Sequence, residues 1–282
     1  MTKKLLAVFA HPDDESFGMG GTLALYARNG VECYLICATR GEVGEMDPEH
    51  LQGYSSIGER REAELRCAAE KLGLKEVIFL NYRDSGMPGS PENSHPNALV
   101  AQPVEQVATD VARYIREIQP DVVITFDPIG GYRHPDHIAV HNAVNLAWEQ
   151  AADPNFDDDL PPFKPQKLYY HVMPHTILRM AVRLMPLMGQ DPRRQGKNKD
   201  IDLQSITEVR FPVHARVDYR GVARIRDDAA YCHVSQGGGM MTGPFQQIRR
   251  LVASYDTFMR VIPEPRANEP IERDLFAGVK AG

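Results

Sequence analysis

Two clusters of histidine and aspartate carry the chemistry that can be read first: HPDDE at residues 11–15 and FDPIGGYRHPDH at residues 126–137. Each follows a short apolar run of strand character, residues 4–10 and 122–126, so each begins where a strand ends. In an open parallel sheet, ligands bind beyond the carboxyl ends of the strands. The clusters lie about 120 residues apart and meet if their strands are near neighbours. Two imidazoles and one carboxylate leave open positions on a cation such as zinc, as a hydrolytic site needs, and each ligand must bind unprotonated or ionised. The same set suits iron(II), which keeps an oxygenase as an alternative. Either cluster alone would serve as an ordinary helix start, because Asp favours N-caps and Pro the first turn. Their joint occurrence points to a metal site.

Other motifs carry less. His137 and His141 stand four apart, but HEXXH needs Glu after the first histidine and Ile138 is there, so His141 is expected to pack or to support a ligand from outside. GMGGTL at residues 18–23 invites a dinucleotide reading, yet GxGxxG would need glycine where Leu23 stands. That disfavours a nucleotide-binding oxidoreductase and leaves the glycines to let the first helix approach its neighbours. With no GxSxG elbow, a serine nucleophile has no support.

The elements that must position these residues alternate. Strand patterns at 4–10, 31–38, 77–82, 122–126 and 167–173 are separated by helical patterns at 18–29, 57–72, 104–118 and 137–151. Such alternation with apolar central strands predicts an α/β fold: a mostly parallel sheet with helices on both faces. Residues 153–166 read as a surface connection, and 188–200 as a polar loop. Beyond them, 206–217 reads as a long strand, 221–231 as a helix and 258–262 as a last strand. The run LRMAVRLMPLM at 178–188 reads as a core helix or as an apolar lid. The expected organisation is a catalytic core over 1–175 and a smaller C-terminal portion over 176–282 that caps it.

Composition agrees with a soluble-type core and small-molecule chemistry. The chain has 282 residues, 43% hydrophobic and 25% charged, enough to bury a core. With 38 acids against 32 bases it has no broad cationic field for nucleic acid or anionic lipid. The apolar run at 5–10 is too short for a signal peptide or a membrane span, so a cytoplasmic protein is expected. Cys33 and Cys37 share one strand, about 13 Å apart, beyond the ~7 Å a disulfide tolerates. Cys67 and Cys232 stand alone, and no disulfide is expected.

AHPDDE at 10–15, TRGEVGE at 39–45, RREAELRCAAEKLG at 60–73 and GYRHPDHIAVH at 131–141 together resemble the PIG-L/LmbE-like deacetylases, in order and spacing over residues 5–150. The resemblance implies a Rossmann-like, zinc-dependent enzyme that removes acetyl groups from N-acetylglucosaminyl compounds; an amidase of a larger thiol–glucosaminide conjugate is the alternative within the same chemistry. It implies His11, Asp14 and His137 as metal ligands, with zinc the expected ion and iron(II) possible in the same set. Asp13 would be the general base and His134 a general acid. Tyr132 would stabilise the oxyanion, and Asp136 would orient a neighbouring histidine. Arg61 matches a position for holding a substrate hydroxyl, unless it faces solvent with Glu62 or Glu64; Glu42 and Glu45 would border the pocket. AYCHVSQ at 230–236 resembles a late element of the family that would bring His233 to the substrate. Some members form trimers or hexamers, so a homo-oligomer is an expectation as well.

Overall fold

The computed structural model describes residues 2–173, 176–195, 202–238, 247, 250 and 253–280. Lys4–Phe9 (β1), Glu32–Cys37 (β2), Glu76–Phe79 (β3), Val122–Phe126 (β4) and Lys167–His171 (β5) are parallel neighbours in the order β3-β2-β1-β4-β5. The helices between them are Asp14–Arg28 (α1), Ile57–Leu72 (α2), Val104–Ile118 (α3), the short Gly130–Arg133 (α4) and Pro135–Ala152 (α5). Right-handed crossovers put α1 and α2 on one face, while α3 and α5 pack together on the other. Central strands covered on both faces must be apolar throughout, as in β1, where Leu5, Leu6, Ala7 and Val8 have no exposed surface.

The order reverses between β1 and β4, which pair directly with Leu5 opposite Val122 and Ala7 opposite Ile124. This is the topological switch point, where the loops leaving two adjacent strands part to opposite faces and open a crevice. The two His/Asp clusters leave the sheet at that spot. The α/β expectation is met.

Four sequence expectations are corrected. Residues 206–217 are not one strand: Leu203–Glu208 forms a helix (α7), and only Ala215–Asp218 pairs as a strand (β6). Asp202 caps α7 by accepting the Ser205 N–H at 3.0 Å, and Pro212 cannot donate to a ladder. Helix α1 starts at Asp14 rather than residue 18, inside the HPDDE cluster. Residues 178–188 do not form a core helix: after Thr176–Leu184 (α6) comes a 3₁₀ turn at Met185–Met188, and Met180, Leu184, Leu187 and Met188 are exposed. Cys67 and Cys232 are bridged, with Cα atoms 5.8 Å apart, because Ala223–Cys232 (α8) packs along α2 and brings together residues 165 apart in sequence. Cys33 and Cys37 are free and buried.

The sheet itself crosses the division at residue 175. Tyr255–Ile262 (β7) runs antiparallel to β5, and β6 antiparallel to β7, so the order continues β5-β7-β6. Gly21 lets this later part pack on α1, since a Cβ there would meet the Tyr219 ring at 2.2 Å. Among the described residues, no helix is long and apolar enough to cross a membrane.

Candidate metal centre and active site

Leaving β1, the chain turns sharply through His11, Pro12 and Asp13. Asp13 has φ 116°, a region that side-chain-bearing residues rarely adopt and that costs roughly 1–3 kcal/mol unless the surroundings impose it. They do so here. The Asp13 N–H donates to Glu15 Oε2 at 3.0 Å, and the His11 N–H donates to Asp14 Oδ2 at 2.7 Å. From α2, Arg61 donates to the Pro12 carbonyl at 2.8 Å and to Asp13 Oδ2 at 3.2 Å, with a further bond to the Gly41 carbonyl at 3.0 Å. Thus Arg61 neither faces solvent nor pairs with Glu62 or Glu64; it is buried and pins the loop.

Leaving β4, Asp127 accepts the N–H groups of Ile129 and Gly131, both at 3.0 Å, and folds the loop back. Gly130 sits at φ 62°, where a Cβ would lie 2.6 Å from the Cβ of His137, so glycine is required for that close approach. His134 caps α5, its Nδ1 accepting the Asp136 N–H at 3.2 Å. His137, one turn in, stacks on Phe126 with centroids 3.9 Å apart and bonds the Gly130 carbonyl through Nδ1 at 3.1 Å.

The two loops meet at two ring nitrogens and one carboxylate. His11 Nδ1 lies 3.1 Å from His137 Nε2, and the Asp14 carboxylate lies 3.3 Å from His137 Nε2 and 3.6 Å from His11 Nδ1. The outer nitrogens face acceptors: His11 Nε2 meets Asp136 Oδ2 at 3.1 Å and Asp84 Oδ1 at 3.5 Å, and His137 Nδ1 meets a carbonyl. In the neutral imidazoles those outer atoms carry the protons, which leaves two lone pairs and a carboxylate converging with no donor among them. Ligands about 3.3 Å apart are what a tetrahedral ion with 2.0–2.1 Å bonds requires. The residues therefore fit a divalent cation, with Asp136 and Asp84 fixing the tautomer of His11 from behind. The ring nitrogens of His11, His134 and His137 also lie within 4.8 Å of one another. His134 spends Nδ1 on the helix cap and keeps Nε2 for the open side.

The electrostatics agree with a cation centre. Burial opposes charge on His11, but Asp84, Asp136 and Asp14 outweigh it and hold its pKa well above the ordinary value. Burial pushes the Asp14 carboxyl up to about 7, and raises Asp13 against the pull of Arg61. Burial, then the charge on His11, lowers His134 to about 3, and the same causes lower His137. Burial raises the Tyr132 phenol, which keeps its proton. Its ring lies 4.9 Å from that of His137 and 5.8 Å from that of His134.

One expected role is made specific and another changes. The Asp136 carboxylate orients His11, accepting also the Ser85 N–H at 3.0 Å; its backbone N–H, not its side chain, meets His134. His233 has no exposed surface and bonds Glu15 Oε1 at 2.8 Å, so it stands behind the Asp13 loop rather than against a substrate. His141 is apart from the ligands, with Nδ1 on the Phe126 carbonyl at 2.9 Å. Glu42 accepts the Asp84 N–H at 3.1 Å, while the Glu45 carbonyl accepts from Gln236 at 3.1 Å. Asp84 itself was missed by motif reading. Its only signal is its place in a polar loop just past β3, on the same edge of the sheet as the two clusters.

Fold and site together define a Rossmann-like protein with a buried His/Asp cluster that could hold a cation at the switch point of its sheet. The chain belongs to the PIG-L family: residues 6–148 match the family described as GlcNAc-PI de-N-acetylase, a metal-dependent class. Among its relatives, a protein of Thermomonospora curvata named 1D-myo-inositol 2-acetamido-2-deoxy-alpha-D-glucopyranoside deacetylase is 41% identical, covering 98% of this chain and 97% of its own. A protein of the same name from Geodermatophilus obscurus is 33% identical, over 99% and 98%. In fold, the chain is similar to N,N'-diacetylchitobiose deacetylase of Pyrococcus horikoshii, with TM-score 0.61 and 23% identity over 92% of this chain and 84% of that one.

Proposed function

We infer that this chain is a zinc-dependent hydrolase that removes the acetyl group from a 2-acetamido-2-deoxyglucoside, releasing acetate and a free amine. The observation that carries the reading is the convergence of His11 Nδ1, His137 Nε2 and the Asp14 carboxylate, next in sequence to an Asp13 carboxylate that Arg61 holds. The names of the full-length relatives support an inositol as the aglycone. Zinc, held by His11, Asp14 and His137, would lower the pKa of a water and polarise the amide carbonyl.

Asp13 takes a proton from the attacking water and returns it to the departing nitrogen. Arg61 keeps its carboxylate aimed while that happens. His134 serves as a neutral donor: with Nδ1 accepting from the helix, its proton is on Nε2, where it meets developing charge together with the Tyr132 hydroxyl. This replaces the imidazolium acid expected from the resemblance, because an imidazole lowered to about 3 holds no second proton at neutral pH.

The test is amine release by the zinc-loaded protein from a panel of N-acetylglucosaminides, inositol-linked and not, with the acid product identified. Acetate with turnover is expected; a longer acid from a thiol–glucosaminide conjugate would establish the amidase alternative instead. His11→Ala, Asp14→Ala and His137→Ala should each lose the metal, since a three-ligand site cannot spare one. Stoichiometric zinc in all three at low free zinc, or no amine from any substrate by the loaded protein, would overturn the reading.

A further inference from the structure

The Asp13 loop is supported from behind by a chain of contacts that ends in the disulfide. Glu15 is wholly buried; one oxygen accepts the Asp13 N–H at 3.0 Å, and the other accepts the Ser16 hydroxyl at 2.5 Å and meets His233 Nε2 at 2.8 Å. His233 directly follows Cys232 at the end of α8, and Cys232 is bridged to Cys67 on α2. Two residues further on, Ser235 donates its N–H and its hydroxyl to the Glu64 carboxylate, at 3.0 and 2.6 Å. Arg61, Glu64 and Cys67 recur every three residues on α2, one helical face. That face grips the Asp13 loop directly through Arg61, and indirectly through the 232–235 segment and Glu15. A non-glycine residue at φ 116° persists only when its surroundings over-determine it, and a buried His–Glu pair holds only when its geometry is kept.

We propose that Glu15, His233 and the Cys67–Cys232 bridge form a positioning unit for the Asp13 carboxylate, so that opening the bridge slows hydrolysis while the metal stays bound. The inference rests on the proposed deacetylase reading for its kinetic consequence alone. None of these residues touches the reacting atoms. The bridge is open to a reductant, since Cys67 is exposed and Cys232 half-buried.

The experiment treats the folded, zinc-loaded protein with a water-soluble trialkylphosphine. Two electrons and two protons convert the bridge to two thiols, and the phosphine becomes its oxide with oxygen from water, so thiols counted after denaturation of a quenched sample rise from two to four. Expected are unchanged zinc content, faster backbone hydrogen exchange at residues 13–17, and a fall in kcat of about tenfold with KM little changed. The Cys67→Ala/Cys232→Ala protein should show the same losses and no response to phosphine. His233→Gln, whose amide can still donate to Glu15, should keep more turnover than His233→Ala. Exchange is read without substrate, so it decides the positioning unit even if no amine is released by the untreated protein, the result that would sink the deacetylase reading. Full reduction with unchanged exchange at 13–17 overturns the proposal, as does unchanged kcat in an active protein. Loss of zinc on reduction overturns it too, by assigning the bridge to the metal ligands.

Discussion

A neutral imidazole with one nitrogen already committed is a different catalyst from an imidazolium, and His134 is the first kind. Its Nδ1 accepts from the start of α5, and burial followed by the charge on His11 lowers it to about 3; a divalent cation in the same place would repel a second proton in the same direction. The sign follows: from about pH 4 upward His134 is already neutral, so it has no second proton to lose on the alkaline side of a kcat/KM profile. His134→Ala should lower kcat by roughly 10²–10³, the usual loss for an oxyanion donor. His134→Gln, which retains a donor, should lose less and leave the alkaline limb where it is. An alkaline limb that disappears in His134→Gln would restore the imidazolium acid. Asp13→Asn, nearly isosteric but unable to take a proton, should retain zinc and lose roughly 10²–10⁴ in kcat. Near-normal turnover in that metal-replete variant would pass the role to another carboxylate.

The turn between β4 and α5 offers a way to weaken the metal centre without touching a ligand. Gly130→Ala forces a Cβ to within 2.6 Å of the His137 Cβ from a backbone at φ 62°, so the helix start must shift and carry His137 with it. Zinc affinity, measured by competition with a chelator, should fall about 10–100-fold, in the range typical when a ligand's support is disturbed. Unchanged affinity would show that the loop relaxes freely. Elements of this kind were legible where pattern and capping agree: α2, α3 and β4 fall at the residues their periodicity predicts, and Ser56 caps α2 by accepting the Glu59 N–H. Residues 206–217 were not, because alternating apolar residues around Pro212 mimic a strand while Asp202 caps a short helix. For the site, the two His/Asp clusters were readable from type and spacing, His11, Asp14 and His137 were singled out within them by the family resemblance, and the switch point made the meeting of the clusters a consequence of strand order. Asp84, the Glu15–His233 pair and the Cys67–Cys232 bridge were not. Each depends on packing between segments far apart in sequence, α8 on α2 above all, and local pattern holds no trace of that.

Across the molecule, the sheet gathers histidines at the carboxyl ends of its strands, and those that burial holds neutral tie stability to pH. His171, the last residue of β5, shows the effect away from the metal ligands: burial alone lowers it to about 4 from an ordinary 6.5. A histidine with a depressed folded pKa binds its proton in the unfolded chain first. Its contribution is therefore fully present above about pH 6.5 and drains away as pH falls toward 4. At pH 5 the whole shift would amount to about 2 kcal/mol. The residue is partly open at its surface, so about 1 kcal/mol is the expected share after screening. His171→Gln stays neutral throughout and should lose that much less stability than the parent between pH 7.5 and pH 5. Urea unfolding of both proteins at both pH values gives the comparison as a double difference. Metal release and the remaining histidines act alike in the two proteins and cancel, which leaves the proton on His171 as the quantity measured. Equal losses in the two proteins would mean that the His171 ring is as well solvated in the folded protein as in the unfolded chain.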